Sequence, residues 1–144
     1  MPNAPVLLGY IEKHVPNVPD LTSDIFKGGQ KAMKKTWEVE TEAEIEKRLR
    51  EKIKEVLHGR AFKWVSPGNR GVPDRIVLLP GGRVVFVELK APGKKPTAVQ
   101  SAMHAVLFGL GFRVQVIDSK ECVDRFIARQ LDIQLALKAR EFSE

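Results

Sequence analysis

The 144-residue chain has one cysteine, Cys122. A single thiol closes no internal disulfide and builds no cysteine-based zinc site, so the fold is expected to stand on packing alone, in a reducing compartment. No run reaches the roughly 18 consecutive apolar residues of a spanning helix. The start, Met1-Pro2-Asn3-Ala4-Pro5, lacks the basic stretch and apolar run of a secretory signal. Neither a membrane partner nor secretion is therefore expected. Internal repeats and low-complexity tracts are absent, and Gly81-Gly82, Gly109 and Gly111 read as turn and cap glycines with no phosphate-loop pattern around them. Ser66 and Ser101 have no base-and-acid pair at a plausible spacing, which leaves serine-hydrolase chemistry unsupported. His14, His58 and His104 share no metal-ligand spacing and read as solvated or partly packed, although His104 stands one helical turn after Gln100, within reach of the edge of a site.

Acidic residues are scarce where basic ones gather. Residues 1–40 hold five Lys/Arg and five Asp/Glu, so the whole net charge of +6 lies beyond them. From His58 to Arg113 nine basic residues face only Asp74 and Glu88. Such an excess favours polyanionic partners, nucleic acid first among them. The 43% hydrophobic and 29% charged fractions are those of a globular protein with one core. Residues 1–40 contain four of the nine prolines and read as an N-terminal arm, with Trp37 as a candidate docking anchor; residues 41–144 read as the folded domain.

Within that domain a helix should begin at Thr41, with Glu44 completing a capping box, and bury Ile45, Leu49, Ile53, Val56 and Leu57, with Gly59 at its end. Ala61–Val65 reads as a short strand, in which Trp64 is a core aromatic rather than a stacking platform for a base. Asp74–Leu79 and Arg83–Lys90 read as a hairpin turned by Pro80-Gly81-Gly82. Alternation along the second strand puts Val84, Phe86, Glu88 and Lys90 on one face and Val85, Val87 and Leu89 on the other, as in a central strand. Thr97 caps a helix running to about Leu110, Phe112–Ile117 forms a fourth strand, and a helix from Ser119 to about Ala139 packs through Val123, Phe126, Ile127, Leu131 and Ile133 or Leu135. The expected fold is an α/β sandwich around a mixed four-stranded sheet.

The two acids of the basic stretch belong to the pattern Pro73-Asp74…Glu88-Leu89-Lys90. Two carboxylates on adjacent strands offer hard oxygen ligands for Mg²⁺, or Mn²⁺, and the Leu89 carbonyl could add a third. Lys90, on the face of Glu88, could hold or deprotonate a water and offset phosphate charge. Arg70, Arg75, Lys94 and Lys95 flank the pair as candidate contacts to a phosphate backbone. A bare Pro-Asp with a Glu/Lys ion pair also occurs by chance. Here, however, Glu88 and Lys90 interrupt the apolar run Val84-Val85-Phe86-Val87, where unpaired charges would cost several kcal/mol.

Residues 41 to 120 resemble a stand-alone VRR-NUC domain of the kind found in phages, a branch of the PD-(D/E)xK nucleases. The likeness is carried by Thr41 to Glu46, by Lys63 to Ile76, by Val85 to Gly93 and by Pro96 to Gln100. The Val-Arg-Arg signature that names the family has no literal counterpart. The resemblance implies a restriction-endonuclease-like core in the order αβββαβ, with Asp74 and Glu88 as metal-binding acids, Lys90 as the catalytic lysine and Gln100 near the site. It also implies a glutamate from the first helix, for which Glu42 fits and Glu46 competes. Such proteins are similar to homodimeric, metal-dependent endonucleases that cut branched DNA such as four-way junctions, in the cytoplasm of a bacterial or phage-infected cell. A non-catalytic DNA-binding or assembly protein on the same fold, and an enzyme acting on linear duplex, are the alternatives.

Overall fold

The computed structural model describes residues 39–143. The expected arm and Trp37 lie outside them, apart from Val39 and Glu40. Helix α1 spans Glu42–Glu55, strand β1 Arg60–Lys63, β2 Arg75–Leu79, β3 Arg83–Leu89, helix α2 Ala98–Gly109, strand β4 Arg113–Ile117 and helix α3 Lys120–Glu141. The strands lie in the order β1-β2-β3-β4, antiparallel except for the parallel pair β3–β4. Helix α2 makes that parallel crossover. The α/β class, the mixed sheet and the element order are as the sequence reading expects.

Local chemistry starts each helix. Thr41 and Glu44 form the capping box of α1, the Thr41 N–H donating to Glu44 Oε2 at 2.8 Å and the Glu44 N–H to Thr41 Oγ1 at 3.3 Å. Ser119 caps α3 through the Cys122 N–H. Glu40 adds a second anchor there, accepting from the Lys120 N–H at 2.7 Å and drawing the chain before α1 onto the start of α3.

Alternation along β3 divides the sandwich. Val85, Val87 and Leu89 meet Ile45, Leu49, Ile53 and Leu57 of α1 and its exit, and Val123, Phe126 and Ile127 of α3, in one buried cluster. Arg48 braces these two helices with a two-pronged bond to Asp124, both distances 2.8 Å. The other face carries Phe86, stacked on Trp64 at 5.0 Å and edge-on to Phe112 at 5.4 Å, with α2 above the β3–β4 half. Trp64 is thus a packing aromatic.

Three boundaries differ from expectation. Regular pairing in β1 stops at Lys63; the Trp64 N–H still reaches the Asp74 carbonyl at 2.9 Å, after which the chain turns, with the Asn69 N–H on the Ser66 carbonyl. Helix α1 closes before Gly59, and His58 takes the left-handed conformation, φ 55°. Gly59 is needed for space: a Cβ there would stand 2.6 Å from the Leu78 carbonyl oxygen. In α3 the packed side ends at Leu131, half-buried against the core as expected, beside Gln130, which is buried and bonded to Arg83. Ile133 is 38% exposed and Leu135 half-buried, outside the core cluster, and along the last turns of α3 Gln134, Leu137 and Lys138 line an open groove against Pro80 and Gly81 of the β2–β3 turn.

Candidate active site

Asp74 and Glu88 meet because of strand register. Arg75 pairs with Val87, so the next position along the hairpin sets Asp74 beside Glu88 and Pro73 opposite Leu89. The Leu89 N–H donates to Asp74 Oδ2 at 2.8 Å, so the aspartate carboxylate is bonded to the backbone between Glu88 and Lys90. In an extended strand the N–H and C=O of one residue point to the same edge, which turns the Leu89 carbonyl toward Asp74 as well. Pro73 is buried and fixes the approach of the chain to this spot.

Glu88 is 1% exposed, the one acidic residue in a mainly apolar strand. Its Oε1 accepts from Gln100 Nε2 at 2.8 Å and lies 3.5 Å from Lys90 Nζ. Its Oε2 has no hydrogen-bond partner in the structure. Burial first, then repulsion from Asp74, pushes the Glu88 carboxyl up to about 7 from an ordinary 4.5, and Lys90 opposes the rise. Two carboxylates and one ammonium leave this spot with an unbalanced negative charge when all are ionised, and that imbalance is what a cation would relieve. Among the described residues no group of three or more His, Cys, Asp or Glu side chains forms a metal cage. The donor set is two carboxylates and a backbone carbonyl, which suits a hard ion that keeps several waters.

Gln100 has two tasks. As the third residue of α2 its Oε1 accepts from the Thr97 N–H at 2.9 Å, closing a second capping box, and this leaves only its amide nitrogen to face Glu88. The loop before Asp74 is seated on the same turn. Gly71 has φ +80° and lies so close to Val99 that a Cβ would stand 2.5 Å from its carbonyl oxygen. One helix start therefore positions both Glu88 and the segment leading into Asp74.

Asp74, Glu88, Lys90 and Gln100 converge as the sequence reading expects, and the other candidates divide. Arg70, Lys94 and Lys95 are exposed on the loops flanking the cluster, and Glu42 is exposed on the first turn of α1. Helix α1 packs on the face of the sheet opposite α2, and neither Glu42 nor Glu46 joins the described bonds of the cluster. Glu46 pairs with Arg75 and lies 3.6 Å from Arg50. Arg75 is a correction: its side chain is 13% exposed and bound to Glu46, so it joins β2 to α1 and is not placed for phosphate. Alternation explains this, since Arg75 follows Asp74 and must face the other layer.

His104, which the sequence reading sets as a partly packed histidine within reach of the edge of a site, lies against Glu88. Its Nε2 lies 3.5 Å from Glu88 Oε2, with the side chain 14% exposed. Burial, then the Lys90 ammonium, holds this imidazole below its usual range, with Asp74 pulling the other way. The signal in the sequence is its spacing of four from Gln100, which places both on one face of α2.

Fold and site together define the class, an α/β core of the PD-(D/E)xK type with its acids on adjacent strands and its lysine two residues after the second acid. Similarity to known proteins narrows it. No family model matches the chain. It is 54% identical over 80 residues to "Putative nuclease p44" of Acyrthosiphon pisum secondary endosymbiont phage 1, an alignment that covers 56% of this chain and 85% of that protein. A solved structure described as a VRR_NUC domain superimposes with a TM-score of 0.57 at 34% identity, over 60% of this chain and 94% of the other. The chain belongs to the VRR-NUC domain family.

Proposed function

We propose that the protein is a divalent-metal-dependent DNA endonuclease, an enzyme that hydrolyses phosphodiester bonds in branched DNA such as four-way junctions and acts as a homodimer. The observation that carries this reading is that Asp74, on the backbone next to Glu88, and Lys90, 3.5 Å from Glu88 Oε1, gather at a buried carboxylate whose other oxygen, Oε2, has no hydrogen-bond partner. Asp74, Glu88 and the Leu89 carbonyl are the groups that would hold Mg²⁺ or Mn²⁺, which when bound supplies charge neutralisation at the phosphate and a lowered pKa for water. Lys90 brings a proton-exchanging ammonium beside Glu88, suited to holding the attacking water and countering charge on the phosphate. Gln100 keeps Glu88 in place. Arg70, Lys94 and Lys95 bind flanking phosphates and give affinity without sequence choice.

Paired incision of a symmetric junction needs two active sites, hence two subunits. Helix α2 supports such pairing: it contains no charged residue and exposes Val99, Val106 and Phe108, with Leu110 just beyond its end. In a chain of net charge +6, an uncharged apolar face is where a second copy approaches with least repulsion.

The test is a cleavage panel of labelled four-way junction, flap, single-stranded and linear duplex DNA with Mg²⁺, Mn²⁺ or chelator. Metal-dependent cutting that favours the junction is expected. Equal cutting of linear duplex would remove the branched substrate, and binding without turnover under every condition would make this a non-catalytic DNA-binding member of its family.

A further inference from the structure

We infer that His104 is a positioning residue for Glu88, holding the second oxygen of that carboxylate while Gln100 holds the first. The inference rests on the metal-site reading above and goes beyond it in assigning a residue that the Asp74, Glu88 and Lys90 pattern does not contain.

Gln100 and His104 project from one face of α2 and reach opposite oxygens of the same side chain, Oε1 at 2.8 Å and Oε2 at 3.5 Å. Both Glu88 Oε2 and His104 Nε2 are buried, and neither has a hydrogen-bond partner. Two unpartnered polar atoms facing each other in a water-poor site are an unclosed pair, since a good bond of this kind spans about 2.7–3.2 Å. A neutral imidazole has one N–H, and a carboxylate oxygen opposite Nε2 selects the tautomer that puts the proton there. Each carboxylate oxygen has two lone pairs, so Oε2 can accept from His104 and keep the other for a cation shared with Asp74.

A donor role fits better than a ligand role. Asp74, Glu88 and His104 do not form a three-ligand group, and carboxylate and carbonyl oxygens already suit a hard ion, for which imidazole is a poor partner. With only Oε1 bound, the Glu88 carboxylate can rotate and turn Oε2 away from Asp74. A donor on Oε2 removes that freedom. Partners of this kind behind a metal ligand typically change affinity or activity by about 10–100-fold.

The experiment is calorimetric titration of Mn²⁺ into the full-length, DNA-free protein, comparing wild type with His104→Ala and His104→Gln, with thermal melting of each to report folding. The glutamine amide can place a donor near the position of Nε2. The expected result is Mn²⁺ affinity weakened about tenfold or more by His104→Ala and restored to within about threefold by His104→Gln. Unchanged affinity in folded His104→Ala, beside tight wild-type binding, would overturn the role of His104 and leave the metal site standing. Equal loss in both folded variants would overturn the donor role in favour of the imidazole as a ligand. A wild-type protein that binds no Mn²⁺ would overturn the metal site, and this inference with it.

Discussion

Under the proposed function, Lys90 separates binding from chemistry. Its ammonium is 3.5 Å from Glu88, whereas Arg70, Lys94 and Lys95 are exposed and are the proposed contacts to the DNA backbone. Lys90→Ala is therefore expected to lower the single-turnover cleavage rate by at least about 100-fold while leaving the Kd for DNA within a few-fold. Fully active Lys90→Ala would remove the proposed chemistry. Glu88 makes the complementary prediction on stability. Its carboxyl is raised in the folded state to about 7, so between about pH 4.5 and 7 the folded chain binds more protons there than the unfolded chain. The Glu88 contribution to stability is thus largest at low pH and falls as pH rises through this window, levelling off above about 7. Glu88→Gln should flatten that slope and stabilise the metal-free protein at pH 8 by roughly 1–3 kcal/mol, read by urea denaturation at several pH values. A slope that survives the substitution would assign it to other groups.

Helix α2 organises the site more than its apolar pattern suggests, because its first turn binds Glu88 through Gln100 and supports the loop into Asp74 through Val99. Gly71→Ala adds a Cβ both at positive φ and against the Val99 backbone. It should destabilise the fold by roughly 1–3 kcal/mol and lower Tm by several degrees; an unchanged Tm would mean that the loop is not seated on α2. What the sequence revealed of the elements follows how local their causes are. Thr41 with Glu44, and Thr97 with Gln100, act over three residues and mark helix starts directly. Gly59 and Arg75 are set by partners distant in sequence, the Leu78 carbonyl and Glu46, so a chain read locally takes the first for a cap and the second for a phosphate contact. Ile133 and Leu135 continue the apolar pattern of α3 after its partners run out, and a periodic pattern does not report where the neighbouring layer ends. His104 was half-visible: its spacing from Gln100 could be read, while its approach to Glu88 depends on how α2 lies on the sheet.

The whole domain is a sandwich in which one face of the sheet is closed by α1 and α3 and the other holds α2, the aromatic trio and the acidic pair. Its two-sided character was readable in the doubly apolar β3, and its basic surroundings in the shortage of acids between His58 and Arg113. The proposed pairing of subunits through α2 gives a prediction at this scale. Val106 is 57% exposed, so Val106→Glu should leave folding intact and shift the sedimentation coefficient from dimer to monomer. Junction cleavage by that variant should change from paired to single nicks. A variant that stays dimeric would place the subunit contact elsewhere.

If Asp74 and Glu88 share one cation, an anomalous difference map from crystals soaked in Mn²⁺ will locate it. One strong peak between the two carboxylates, held by oxygen ligands, is the expected result. A peak bound to neither Asp74 nor Glu88, or no peak at a Mn²⁺ concentration that supports cleavage, would contradict it.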